Sequence, residues 1–376
     1  MTGEACPLLL TPGPLTTAPE TRAALDRDWG SRSAEFIAMT AALRRRLVDL
    51  AGVAESHVAV PLQGSGTFAV EAALTTLVPA GGHVLVAING AYGRRMATIL
   101  ARAGRRPVAV AGPEDRGIDM AGMRAALAAD PAIRHLAVVH CETTTGMLNP
   151  IEPVADLAAE RGLGLIVDCM SSFGALPVAG FAGRALALVG SANKCLEGVP
   201  GLAIALVQRA ALARAEDRAP SLSLDLHDQW RRFEGDGQWR FTPPVQVVAA
   251  LMAALDGLDR EGGPPGRLRR YTANRDRLVR GLARLGFETL LGREDQAPII
   301  VTFRAPADAA FDFGRFHGAL RARGFEIYPG KLATEASFRV GVIGAVTPDD
   351  IARFVAAVGQ VMAAEGIPTG APARAA

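Results

Sequence analysis

Residues 163–168 read LGLIVD and residues 186–191 read LALVGS, two short apolar runs that each end on a polar residue. Their length and their content of leucine, valine and isoleucine are typical of buried strands. A helical pattern at 153–161 comes directly before the first run. Buried strands that alternate with helices indicate a mostly parallel sheet covered on both faces. These stretches therefore predict an α/β fold.

The alternation continues toward the N-terminus. Further strands are predicted at 57–62, 84–88 and 135–140, and further helices at 67–77, 92–103 and 120–128. The carboxyl ends of parallel strands meet at one edge of the sheet, and ligands of such sheets bind outside that edge. Ligand-binding and catalytic residues are therefore expected among those that directly follow these strands.

The composition changes at residues 262–266, which read GGPPG and follow an apolar helical pattern at 245–258. Beyond this segment, strands are predicted at 298–303, 325–328 and 338–342, and helices at 267–285, 312–323 and 348–364. Thr347, Pro348 and Asp350 form the start signal of the last helix. We predict a large domain over residues 1–262, with an N-terminal segment 1–20 near the active-site mouth, and a small C-terminal α+β domain over residues 263–376.

The chain has 376 residues, of which 49% are hydrophobic, and a formal net charge of +2. So weak a charge argues against nucleic acid or a membrane surface as a partner. The cysteines, none of them in a CxxC pair, are Cys6, Cys141, Cys169 and Cys195. We expect reduced thiols, no metal site and a cytoplasmic location. Neither a signal peptide nor a transmembrane helix is expected, which favours a soluble intracellular enzyme.

Residues 63–67, QGSGT, follow one predicted strand and open a predicted helix. Backbone N–H groups converge at such a helix start and favour an anion, to which the hydroxyls of Ser65 and Thr67 can also donate. The pattern Gly-x-Gly-x-x-Ala also fits a dinucleotide, although residues 89–90, Asn-Gly, stand where its acidic ribose ligand is expected. An ordinary strand-to-helix turn is a third interpretation. The segment alone leaves these three open.

Asp168 ends the run LGLIVD, and Lys194 closely follows the run LALVGS. A buried carboxylate is costly unless it meets a cation, and a desolvated lysine can form a Schiff base. Either residue could instead be ordinary, the aspartate a helix N-cap and the lysine a surface charge. Together with residues 63–67 as a phosphate-binding segment, Asp168 and Lys194 suit pyridoxal 5′-phosphate (PLP). The aldehyde of PLP bonds a lysine, and its pyridine nitrogen pairs with an acid. Tyr92 could stack on the ring of PLP or simply pack at the edge of the core.

The order of these motifs resembles that of the class-V aminotransferases. The matching stretches are 8–17 (LLLTPGPLTT), 63–72 (QGSGTFAVEA), 89–93 (NGAYG), 138–146 (VVHCETTTG), 167–174 (VDCMSSFG), 191–201 (SANKCLEGVPG), 221–230 (SLSLDLHDQW), 328–331 (YPGK) and 338–344 (FRVGVIG). They span almost the whole chain in order, and HCETTTG and SANK…GVPG are specific motifs. The resemblance implies a fold-type I PLP transferase, in which the large domain binds PLP on a mostly parallel sheet.

The resemblance also implies a role for each matching residue. Lys194 would be the Schiff-base lysine and Asp168 the partner of the pyridine nitrogen. The other cofactor-binding residues would be Ser65, Gly66 and Thr67 at the phosphate, Tyr92 on the ring, Thr143 at the phenolic oxygen and, from a neighbouring subunit, Thr242. Arg339 would bind the acidic group of the substrate, since a guanidinium pairs with carboxylate and phosphonate alike; an ordinary strand arginine is the alternative. Arg32 and Arg94 are weaker candidates for anion contact, with surface solvation as their alternative.

Within the family, the motifs are most similar to those of enzymes that move the amino group of 2-aminoethylphosphonate to pyruvate. Their products are phosphonoacetaldehyde and L-alanine, in phosphonate catabolism, and the resemblance implies a homodimer. An alanine–glyoxylate or serine–pyruvate aminotransferase would share the cofactor residues and differ in the amine. A cysteine desulfurase would have histidine where Asn193 stands, and a nicotinamide oxidoreductase would need the missing acidic ribose ligand. A non-catalytic binding module would not need the complete set of lysine, acid and phosphate segment.

Overall fold

The computed structural model describes residues 6–332 and 335–373. The strands in these ranges are β1 (Leu8–Leu9), β2 (His57–Gln63), β3 (His83–Ile88), β4 (Arg106–Ala111), β5 (Ile133–Val139), β6 (Cys141–Glu142), β7 (Met147–Leu148), β8 (Gly164–Asp168), β9 (Ala187–Ser191), β10 (Leu202–Gln208), β11 (Ile300–Arg304), β12 (Phe325–Glu326), β13 (Tyr328–Pro329) and β14 (Ser337–Gly341). The helices are α1 (Pro19–Ala23), α2 (Ala34–Ala51), α3 (Gly66–Leu77), α4 (Ala91–Arg102), α5 (Met120–Ala129), α6 (Ile151–Glu160), α7 (Ala179–Ala182), α8 (Arg209–Leu212), α9 (Leu226–Asp236), α10 (Val245–Arg260), α11 (Gly263–Ala283), α12 (Phe313–Arg321) and α13 (Pro348–Glu365).

A seven-stranded sheet forms the centre of the molecule, in the order β2-β10-β9-β8-β5-β3-β4. β10 runs antiparallel to its two neighbours, β2 and β9, and the remaining neighbouring pairs are parallel. The predicted α/β fold with a mostly parallel sheet is therefore confirmed. The sequence patterns find five of the seven strands and miss β4 and β10.

The central strands are buried along most of their length, as their near-continuous apolar sequences require. β9 is buried at every position, and β8 at all but its first residue. Because β2, β3, β5, β8 and β9 run in the same direction, the residues that follow them emerge at one edge. This edge brings together side chains that are far apart in the sequence.

A second, separate core lies in the C-terminal part of the chain. The antiparallel sheet β11-β14-β13 packs with α12 and α13 around phenylalanine side chains that include Phe303, Phe316, Phe338 and Phe354. α13 begins with the predicted signal, since Thr347 and Asp350 form a capping box. Between α10 and α11 the backbone turns at Gly262, where φ is +91°. We propose that the two domains divide after this residue, a boundary supported by the two separate cores.

The N-terminal segment joins the two parts of the molecule. β1 pairs in parallel with β12, and Leu10 is buried in the C-terminal core. The next residues, Pro12 and Gly13, lie against Lys194, so this segment does reach the lysine; residues 1–5 of the predicted mouth segment lie outside the described residues. No helix in the described ranges is long and apolar enough to cross a membrane.

Candidate active site

One pocket opens at the carboxyl edge of the sheet, and it collects six of the residues predicted from the sequence. These are Ser65, Gly66, Thr67, Tyr92, Asp168 and Lys194. Each follows or ends one of four different parallel strands, which is why a single edge holds all of them. Arg95, which the sequence patterns do not single out, lines the same pocket.

Lys194 stands three residues after the end of β9 and is held from the N-terminal side. Its Nζ donates a hydrogen bond of 2.7 Å to the carbonyl oxygen of Pro12. A Cβ on Gly13 would lie 2.8 Å from the same Nζ, so a side chain there would displace the lysine. Burial lowers the pKa of Lys194 to about 8, although the negative charge of Asp168 partly opposes this decrease. The amine therefore becomes a base near neutral pH.

Asp168 ends β8 and is buried. Its Oδ1 accepts a hydrogen bond of 2.9 Å from the backbone N–H of Met170. Burial is the main cause that raises the pKa of this carboxyl to about 6, and the charge of Glu142 adds to the rise. No ion pair neutralises it within the described residues, so it is a carboxylate that a cationic ring nitrogen would stabilise.

Ser65, Gly66 and Thr67, at the start of α3, have the geometry of an anion-binding site and are here called the cup. Ser65 precedes the first turn of α3, and its side chain makes no capping hydrogen bond there, which leaves the hydroxyl and the helix N–H groups for a ligand. A Cβ on Gly66 would lie 1.9 Å from the sulfur of Met170. A side chain at position 66 would therefore displace the flexible side chain of Met170, in the loop that follows Asp168.

Tyr92, Thr143 and Arg339 form a connected group, of which only Tyr92 lines the pocket itself. The Thr143 hydroxyl donates to the Tyr92 hydroxyl at 3.1 Å, and Arg339 Nη1 donates to the carbonyl oxygen of Thr143 at 3.0 Å. Arg339 Nε donates to the carbonyl oxygen of Pro329 at 3.0 Å. The guanidinium is buried, and in the described ranges its Nη2 makes no hydrogen bond to the protein. It is therefore held rigidly while keeping N–H groups for an anion.

Glu142 is a buried residue whose role sequence reasoning missed. Its Oε2 accepts from the backbone N–H of Tyr92 at 3.0 Å, and its Oε1 accepts from the Thr144 hydroxyl at 2.5 Å. The carboxylate thus stabilises the N-terminus of α4, where the helix dipole favours negative charge, and fixes the backbone of Tyr92. A glutamate among threonines directly after a buried strand, as in HCETTTG, is the sequence signal that could have indicated this.

Glu197 lies three residues after Lys194 and fixes the C-terminal side of the loop that carries this lysine. It has a φ of +59°, a left-handed conformation that costs free energy for a residue with a side chain. Hydrogen bonds from Tyr271 and Arg270 of α11 hold it there, and Arg267 of the same helix donates to the carbonyl oxygen of Cys195 at 2.8 Å. The helix that follows the proposed domain boundary therefore helps to position the segment that carries Lys194.

Arg32 and Thr242 do not line the lysine pocket of their own chain. Both line a second depression, which Trp239, Arg240 and Phe241 also border. The Phe241 side chain is 51% exposed. Arg94, the other weak candidate, is exposed on α4 and forms an ion pair with Glu114.

The residues of the pocket fit PLP. The cup offers the unused Ser65 hydroxyl and helix N–H groups to a phosphate, Asp168 offers a buried carboxylate to a ring nitrogen, and Lys194 offers an amine with a lowered pKa. A parallel sheet with this donor set at its carboxyl edge defines the class: a PLP-dependent enzyme of the α/β type.

Comparison with known proteins gives the family. The model of the class-V aminotransferase family matches residues 19–353. A 2-aminoethylphosphonate–pyruvate transaminase of Burkholderia lata is 51% identical over 362 residues, which cover 96% of this chain and 98% of that protein. The corresponding transaminase of Burkholderia mallei is 51% identical over 364 residues, covering 97% and 99% of the two chains. The chain belongs to the class-V aminotransferase family, and its cofactor is PLP.

Solved structures show the same fold. The pyridoxamine–pyruvate aminotransferase of Mesorhizobium loti superposes with a TM-score of 0.87 at 26% identity, covering 98% of this chain and 96% of that chain. The alanine–glyoxylate aminotransferase of Nostoc sp. superposes with a TM-score of 0.89 at 24% identity, covering 96% of each chain. These likenesses confirm the predicted fold-type I architecture.

Proposed function

We propose that the enzyme transfers the amino group of 2-aminoethylphosphonate to pyruvate, giving phosphonoacetaldehyde and L-alanine in phosphonate catabolism. The observation that carries this proposal is the 51% identity, over nearly the full length of both chains, to transaminases named for this reaction. The pocket supplies matching chemistry through a basic lysine and a buried acid. The buried Arg339 is linked to the pocket residue Tyr92 through Thr143.

We assign the central roles to Lys194 and Asp168. Bound PLP supplies an electron sink for the carbon that carries the amino group of the substrate. Lys194 holds the cofactor at its Nζ and, when free, exchanges a proton with that carbon, for which a pKa of about 8 is suited. Asp168 keeps a proton on the pyridine nitrogen. When Lys194 is not bonded to the cofactor, the carbonyl oxygen of Pro12 accepts a hydrogen bond from its ammonium group.

The remaining pocket residues bind and orient. Ser65, Gly66 and Thr67 hold the phosphate of PLP, Tyr92 stacks on its ring, and Thr143 hydrogen-bonds at its phenolic oxygen. This last role is compatible with the hydrogen bond between Thr143 and Tyr92, which already places the two side chains side by side. A change in one of them is therefore expected to disturb the other.

Arg339 binds the acidic group of both substrates in turn. Phosphonate and carboxylate are each matched by a guanidinium, so one arginine serves 2-aminoethylphosphonate in the first half-reaction and pyruvate in the second. The two backbone carbonyl contacts hold the guanidinium in place without neutralising its charge. Alternation of the two substrates in one site implies ping-pong kinetics.

We further propose that the enzyme acts as a homodimer in the cytoplasm. The depression that holds Thr242 and Arg32 lies apart from the lysine pocket of the same chain, as expected if these residues act on the pocket of the partner. Phe241, which borders the same depression and is exposed, would be covered by such a partner. The buried free thiols Cys141, Cys169 and Cys195 are compatible with a reducing compartment.

The experiment is a comparison of amino donors by kcat/KM. The PLP-loaded protein is assayed with pyruvate and 2-aminoethylphosphonate, and with 3-aminopropanoate, which replaces the phosphonate by a carboxylate. L-alanine with glyoxylate and L-serine with pyruvate test the alternative aminotransferase activities. We expect a preference for the phosphonate, loss of turnover in Lys194→Ala, and unchanged turnover in Arg94→Gln. A preference for alanine with glyoxylate would instead assign the chain to the alternative.

A further inference from the structure

Arg95 is a pocket residue with an unassigned positive charge. It lies one turn after Tyr92 on α4 and is half-buried, whereas its neighbour Arg94 is exposed and ion-paired. Arg95 Nη1 donates a hydrogen bond of 2.6 Å to the Thr67 hydroxyl. In the described ranges no carboxylate forms an ion pair with it, so its charge is available to a ligand of the pocket.

The hydrogen bond from Arg95 determines what Thr67 can do. A threonine hydroxyl has one hydrogen to donate and two lone pairs that accept. Because the hydroxyl accepts from Arg95, its own hydrogen remains free and can donate to an anion at the start of α3. The N–H groups of α3, the hydroxyl and the guanidinium then all favour the same charge at the same place.

Arg95 also contacts the ring-stacking residue. Its guanidinium carbon lies 4.6 Å from the centroid of the Tyr92 ring, within the range of a cation–π contact. Tyr92 in turn accepts from the Thr143 hydroxyl, and the Thr143 carbonyl accepts from Arg339. A chain of direct contacts therefore runs from the cup to the arginine proposed for the substrate.

We propose that Arg95 is a phosphate-binding residue of the cofactor site: it supplies the positive charge of the cup and orients the Thr67 hydroxyl toward the phosphate monoester. The inference rests on the proposed function, because it takes PLP as the ligand. A phosphate monoester carries a charge of about −1.5 to −2 at pH 7, which the neutral hydroxyls and the helix N-terminus balance only in part. The position of the charge also explains why Arg95 opposes the rise in the pKa of Asp168.

The test compares two ligands that differ only in the phosphate. The apoprotein is titrated with PLP and with pyridoxal, and the visible absorbance of the lysine-bound ligand reports the affinity of each. The variants are Arg95→Gln, which removes the charge, and Arg95→Lys, which keeps it. Arg94→Gln, one residue away on the same helix, is the matched control.

We expect Arg95→Gln to weaken the binding of PLP by about tenfold or more, the effect of losing a charge-assisted hydrogen bond. Its affinity for pyridoxal should change by less than about twofold, which also shows that the pocket is folded. Arg95→Lys should recover part of the PLP affinity, and Arg94→Gln should bind both ligands like the unaltered protein.

Two results would overturn the inference while leaving the proposed function intact. One is equal weakening of PLP and pyridoxal in Arg95→Gln, which would mark a purely structural role for the side chain. The other is unaltered PLP affinity in that variant. Failure of the unaltered apoprotein to form the lysine-bound band with PLP would overturn the proposed function itself, and the inference with it.

Discussion

The pKa of Lys194 makes a quantitative prediction about cofactor capture. Only the neutral amine attacks the aldehyde of PLP, and burial lowers the pKa of Lys194 from 10.5 to about 8. At pH 7 about 9% of this lysine is neutral, against about 0.03% of a solvated lysine, a gain of roughly 300-fold. The perturbation is therefore a change of pH, applied to the apoprotein.

The assay is stopped-flow mixing of the apoprotein with excess PLP between pH 6 and pH 10, followed by visible absorbance. We expect the rate constant to rise about tenfold per pH unit at low pH and to level off near pH 8. Nα-acetyl-lysine in the same buffers is the control, since its rate should keep rising beyond pH 10 and corrects for the ionisations of PLP. In Asp168→Asn the midpoint should move to lower pH, because the charge of Asp168 raises the pKa of the lysine.

A rate that still rises tenfold per unit between pH 9 and pH 10 would refute the reasoning, because Lys194 would then behave as a solvated amine. A midpoint that moves to higher pH in Asp168→Asn would refute the proposed interaction between the two residues.

Three further predictions concern single residues. Burial raises the pKa of Asp168 from 3.8 to about 6, so ionisation of this carboxyl destabilises the folded apoprotein by about 3 kcal/mol at pH 8. Because this cost decreases as the pH falls below about 6, Asp168→Asn should raise the melting temperature more at pH 8 than at pH 5. An equal rise at both pH values would contradict the prediction. Arg339→Gln should raise the KM of both substrates by at least about thirtyfold, as expected for a lost buried charge pair, with Arg339→Lys intermediate; steady-state kinetics measure this, and an unchanged KM would exclude the role. Thr242→Ala should weaken PLP binding about two- to tenfold by loss of one hydrogen bond without altering the oligomeric state seen in sedimentation; unchanged affinity would contradict its action across the dimer.

Much of the sheet could be predicted from the sequence, and the two missed strands have physical explanations. β4 contains a proline and lies at the edge of the sheet, where strands depart from the buried apolar pattern. β10 is as apolar as its neighbours, but it follows a glycine- and proline-rich turn and runs antiparallel. Strand–helix alternation predicts parallel strands and gives no signal for such a return.

The pocket could be predicted in part, because strand ends of a parallel sheet share one edge. Arg95 could not, since Arg94 and Arg95 are neighbours in the sequence and only the rotation of α4 decides which of them faces the pocket. The contact between Arg339 and Thr143 joins residues 196 positions apart and depends on how the two cores pack. The roles proposed for Thr242 and Arg32 involve a partner subunit, whose position a single chain does not specify.

The most direct measurement of the proposed reaction is the absorbance spectrum of the PLP-loaded protein before and after 2-aminoethylphosphonate is added without pyruvate. We predict that the visible band of the lysine-bound cofactor disappears, that the ultraviolet band of pyridoxamine phosphate replaces it, and that pyruvate then restores the first spectrum. A visible band that this amine leaves unchanged, but that L-alanine or L-serine removes, would contradict the proposed substrate; the absence of any such band after PLP is added would contradict the role of Lys194.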